Sequence, residues 1–85
     1  MIEIEHYVAY WTIFDISAHF NGEHQSFFTK TERFRTKEEA EKKVAEELEL
    51  FKVDTVPISS AKWFKELYLD NIDEHFKVYE SHKIY

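Results

Sequence analysis

The chain contains no cysteine. That excludes a disulfide framework, a thiolate zinc site, an iron–sulfur cluster and a cysteine nucleophile. Glycine and proline occur once each in 85 residues, too few for a collagenous, linker-like or low-complexity chain. The longest apolar run without a charge, His6 to Phe14, is far short of the roughly 20 residues that a spanning helix needs. A secretory signal needs basic residues at its start, and Glu3 and Glu5 stand there instead. These absences lead us to expect a cytoplasmic protein without a membrane segment. The length allows a single domain, residues 1–85.

What the chain does have is core-forming material. Hydrophobic residues make up 44%, and eight Phe, five Tyr and two Trp are present. Residues 1–20 are rich in β-branched and aromatic side chains. Their even positions form a period-2 apolar face: Ile2, Ile4, His6, Val8, Tyr10, Thr12, Phe14, Ile16, Ala18 and Phe20. Asn21-Gly22 follows. Both residues tolerate positive φ, the requirement of a tight hairpin turn. A return strand is expected over His24 to Arg35. A two-residue loop sets Ile16 opposite Phe27 and Tyr10 opposite Arg33. A three-residue loop sets Phe14 opposite Phe28 and Val8 opposite Phe34. The second gathers more apolar residues on the even face, so it is the expected register.

Thr36-Lys37-Glu38-Glu39 is a capping box. It opens a helix to about Lys52 whose stripe Ala40, Val44, Leu48 and Phe51 has helical spacing. Glu38/Lys42 and Glu39/Lys43 are its expected ion pairs. Val53 to Ser59, with Pro57, reads as an extended connection or short edge strand. A second helix, capped by Ser59 or Ser60, is expected over Ala61 to Leu69, burying Trp63, Phe64 and Leu67. Asp70 to Glu74 ends it as a polar turn. Phe76 to Tyr85 alternates again, with Phe76, Val78 and Ile84 on one side. The result is an α+β domain of order ββααβ. Its three-stranded antiparallel sheet has order 2-1-3, and the helices pack on it.

Few motifs carry chemistry. His19, His24 and Glu23 flank the turn and could hold a metal, but an exposed polar turn explains them better, so no metal is expected. Asp70-Asn71-Ile72-Asp73-Glu74 lacks the glycine and spacing of a calcium loop. No nucleophile elbow or phosphate loop is present, so neither catalysis nor a cofactor is expected. A small enzyme stands as the third reading.

Charge separates the remaining classes. Seventeen acids and eleven bases give −6. Lys30, Arg33 and Arg35 on the second strand, beside Tyr10 and Trp11, could hold RNA or DNA. The net charge opposes that, because counterion release by basic residues supplies most non-specific affinity. Nucleic-acid binding is therefore the alternative. The leading expectation is a protein-binding module whose acids meet a basic partner. Its acidic candidates are Glu46, Glu47 and Glu49 at the end of the first helix, and Asp70, Asp73 and Glu74 before the last strand.

On the odd side of the first strand, Tyr7 and Trp11, with Ile13, are either covered by the second helix or exposed as a protein-binding surface. In the exposed case a homodimer is one outcome. In size and charge the chain is similar to small acidic proteins of phages and mobile elements, including anti-restriction and anti-CRISPR inhibitors. That likeness implies an antagonist occluding a basic surface of a nucleic-acid-handling protein. It carries over no residue.

Overall fold

The computed structural model describes residues 2–15 and 27–84. The Asn21-Gly22 turn, the His19, Glu23 and His24 group, and the outer parts of the first hairpin lie outside the described residues. The elements are β1 (Ile2–Phe14), β2 (Phe27–Phe34), α1 (Lys37–Asp54), a 3₁₀ turn (Val56–Ile58), α2 (Lys62–Phe64) running into a π-helical turn (Lys65–Leu69), α3 (Ile72–His75) and β3 (Phe76–Ile84). The sheet is three-stranded and antiparallel in the order β2-β1-β3, with helices packed on it, an α+β fold. The most apolar strand takes the centre, as expected, because both its sides can be shielded there.

The β1–β2 register differs from both expected ones. Phe14 lies opposite Phe27, and Tyr7 opposite Phe34. The reason is packing outside the hairpin. Phe27 touches Phe14 at 4.9 Å between ring centres. It also stacks on Tyr68 at 4.3 Å and approaches Phe64 at 6.1 Å. The aromatic residues that follow α1 thus help to select the register. Relative to the expected three-residue loop, every β2 side chain is turned to the opposite side. On the other flank Trp11 faces Phe76, and the register shifts between Ile4 and His6, a bulge.

Helix α1 starts as the sequence indicates. The Glu39 N–H donates to Thr36 Oγ1 at 3.3 Å. Ala40 and Phe51 are buried, and Val44 and Leu48 pack half-buried against the core. Among the described residues the ion pairs along this helix are different ones, Lys37–Glu41 and Lys43–Glu47, and Lys43 lies over the Trp11 ring.

The helix runs two residues further than expected. Thr55 then closes it, its hydroxyl donating to the Phe51 carbonyl at 2.7 Å. Pro57 falls in the first turn of the 3₁₀ segment rather than in an extended connection; its fixed φ suits such a position. Ala61, not a serine, occupies the cap position of α2, without a side-chain bond. Of the three residues expected to be buried there, only Phe64 is. Trp63 is 46% and Leu67 59% exposed. The widened π turn brings Tyr68, not Leu67, against Phe27. The acidic stretch after it contains an additional short helix, α3.

The larger correction concerns the sides of the sheet. The core is built from Ala9, Trp11, Phe14, Ala40, Phe51, Ile58, Phe64 and Phe76. Helix α1 therefore covers the odd side of β1, where Ala9 and Trp11 point; of the even positions Phe14, at the strand's end, joins this core through Phe27. Ala9 and Ala40 have no exposed surface. Two small side chains, one on each layer, allow close approach of helix and sheet. From Val8 onward the even side faces away from α1; across the bulge the alternation reverses, so Ile4, paired with His82, lies on the side of Ala9 and Val78, and it and Ile2 are exposed.

Candidate functional site

Helix α1 carries seven acids against four lysines. The three acids expected to act together do not share one surface. Glu46 lines a groove of about 280 Å³ between α1 and β2, with Glu32, Glu39, Lys42, Lys43 and Phe34. Glu47 lines a groove of about 230 Å³ between α1 and the end of β1, with Leu50, Phe51, Asp54, Thr12, Ile13 and Phe14. Glu49 is exposed. Glu47 is also engaged: Lys43 Nζ lies 2.9 Å away. The Glu47 hydrogen bond raises the Lys43 pKa above its ordinary value, against a smaller opposing effect of desolvation. Exposed Leu50 and Val53 adjoin this acidic stretch.

The second acidic group is likewise divided. Asp70 follows the π turn, while Asp73 and Glu74 occupy the first turn of α3. Glu74 reaches Lys77 at 3.7 Å. Asn71 Nδ2 donates to the Glu66 carbonyl, and the Leu67 carbonyl accepts from the His75 ring, so this segment is tied back on itself.

The aromatic candidates are core. Trp11 is 5% exposed and Tyr7 half-buried against the same cluster. An open protein-binding surface at Tyr7 and Trp11 does not form. Helix α1 covers it, in place of the expected second helix, because the odd side of β1 combines Trp11 with the small Ala9 on which a helix can rest.

The basic trio is split. Lys30 lies opposite Trp11 on the α1 side, its Nζ over the Phe28 ring at 5.8 Å. Arg33 lies opposite Val8 on the other side. Arg35 falls beyond the end of β2.

This other side is the outer sheet face. Strand alternation and the pairing give its composition. Val8, Tyr10 and Thr12 run down the centre, Val8 and Thr12 buried and Tyr10 half-buried, with Thr12 also at the groove that Glu47 and Leu50 line. Thr29, Thr31 and Arg33 flank them on β2, and Lys77 and Tyr79 on β3. The flanking residues are exposed. Lys77 Nζ lies 5.3 Å over the Tyr10 ring. No carboxylate occupies any of these paired positions. Sequence reasoning missed this set because it treated β2 and β3 separately. The signal was there: Arg33, Lys77 and Tyr79 share a side once the order 2-1-3 and the register are combined. Among the described residues no group of His, Asp and Glu is placed to hold a metal ion, and no helix is long and apolar enough to cross a membrane.

No family model, no curated protein and no solved structure gives a match to this chain.

Proposed function

We propose that the chain is a cytoplasmic protein-binding module rather than an enzyme. In this reading it acts as an antagonist that covers a basic surface of a nucleic-acid-handling protein, the role suggested by small acidic phage and mobile-element proteins. One observation carries the reading: α1 is an 18-residue helix, acidic on balance, with Glu46 and Glu49 exposed beside exposed Leu50 and Val53. A helix of that length presents its charges along about 27 Å on a rigid scaffold. Carboxylates steer a basic partner and set its orientation, while apolar side chains at the centre of the contact supply the desolvated anchor. Glu47 contributes less in this reading, being engaged by Lys43. Asp70 and Asp73 are a secondary acidic margin.

The test uses the tagged chain as bait at low salt, followed by competition with an oligonucleotide. A partner is expected that elutes as salt rises, is displaced by nucleic acid, and is lost on E46K/E49K double substitution or on L50S. Retention of no partner, or of one indifferent to charge reversal on α1, would remove the support for this reading.

A further inference from the structure

We propose that the outer sheet face is a second binding surface, for single-stranded nucleic acid, independent of the α1 surface. In a chain of net charge −6, this face holds Arg33 and Lys77 and no carboxylate at the paired positions from Val8 to Thr12. The site is not the basic second strand as a unit, since Lys30 lies on the opposite side. It is the convergence of one residue from β2, one from β1 and two from β3.

The geometry suits a strand of bases and phosphates. Tyr10 is directly opposite Lys77, and Val8 is directly opposite Arg33 and Tyr79. Tyr10 is therefore the diagonal neighbour of both Arg33 and Tyr79, at about 7–8 Å. Tyr79 is 44% exposed, leaving an aromatic ring accessible for a base to stack on. Stacking on aromatic rings is tolerant of sequence, and cationic groups alongside follow the phosphates. Lys77 rests over the Tyr10 ring, also paired with Glu74 at 3.7 Å. Both are surface contacts of small worth. A phosphate draws the ammonium away and opens Tyr10 to a second base. Among the described residues Arg33 makes no ion pair, so its guanidinium is free for bidentate contact with phosphate.

The net charge is the obvious objection, and distance answers it. The acids of α1 lie on the far side of the sheet, beyond a helix about 10–12 Å across. Charges that far apart in solvent are largely screened at physiological salt, where the Debye length is about 8 Å. A ligand on the outer face therefore responds first to Arg33, and to Lys77 in competition with Glu74, whose carboxylate lies 3.7 Å from its ammonium.

The experiment is fluorescence anisotropy of a labelled single-stranded oligonucleotide of about 12 nucleotides, within the usual site size of one small domain, in RNA and DNA forms. The same backbone without bases and a duplex serve as comparisons. At about 50 mM salt the expected dissociation constant is in the micromolar range, weakening about sevenfold by about 200 mM, the slope of roughly −0.7 per contact for two phosphate contacts on a single strand. Tyr79→Leu and Arg33→Ala are each expected to weaken binding about tenfold, the effect of about 1.4 kcal/mol. Glu41→Gln, an exposed acid of α1, is expected to leave it unchanged. Circular dichroism melts confirm that the variants fold. The proposal is overturned by no binding at about 100 µM protein, the weak end of non-specific affinity. It is equally overturned by base-free or duplex probes binding as well as the single strand, or by binding indifferent to Arg33→Ala and Tyr79→Leu. Loss of the protein partner on α1 leaves this result untouched, so the two readings fail separately.

Discussion

The ammonium of Lys43 lies 5.3 Å from the centre of the Trp11 ring. One helix residue thus caps the aromatic ring that the strand pattern left open to two interpretations. Lys43 lays its stem along an apolar surface while its charge meets Glu47, the ordinary behaviour of a long amphipathic side chain. The indole nitrogen beneath it is buried and has no hydrogen-bond partner among the described residues, so Trp11 contributes through its packing.

Trp11→Ala is therefore expected to destabilise the fold by about 3–5 kcal/mol, the range of large-to-small core truncations. Leu67→Ala, at a position 59% exposed, is expected to change stability by no more than about 0.5 kcal/mol. Urea denaturation of the two variants checks the contrast. Equal midpoints would mean that α1 does not cover Trp11.

Thr12 is 3% exposed and its hydroxyl has no partner among the described residues. A buried unsatisfied hydroxyl carries a desolvation penalty of about 1–3 kcal/mol. Thr12→Val keeps the branched shape that a strand favours and removes the penalty, so stability is expected to rise by about 1 kcal/mol. Thermal melts measure it, and a fall of that size would reveal a partner for the hydroxyl.

Burial raises the pKa of Tyr68 above its ordinary value. The folded state then keeps this proton at a pH where the unfolded chain has released it. Stability is consequently unaffected below the unfolded tyrosine value of about 10 and falls as pH rises through it towards the folded value. Tyr68→Phe abolishes that share of the alkaline loss. Denaturation midpoints between neutral pH and about pH 11 follow it. Identical pH profiles for the two proteins would contradict burial of the hydroxyl.

Residue pattern alone carries α1, the three strands and their order in the sheet. Thr36 and Glu39 announce the start of α1, and the spacing of Ala40, Val44, Leu48 and Phe51 gives its inner stripe. These signals lie within a few residues of each other, so no distant contact is needed to read them. The order 2-1-3 follows from one strand being apolar on both sides. That same property leaves its two sides indistinguishable: Val8, Tyr10 and Phe14 alternate with Ala9, Trp11 and Ile13, and period-2 reasoning has nothing further to separate them. Only the packed molecule decides, by seating α1 over Ala9 and Trp11 and bringing Tyr68 and Phe64 to Phe27. The sorting of charge is decided at the same step. Composition sums acids and bases over the chain, whereas the register determines that Arg33 and Lys77 share one sheet face while α1 carries its acids on the other. Electrostatic attraction fades within a Debye length, so a ligand responds to the face it meets and not to the total.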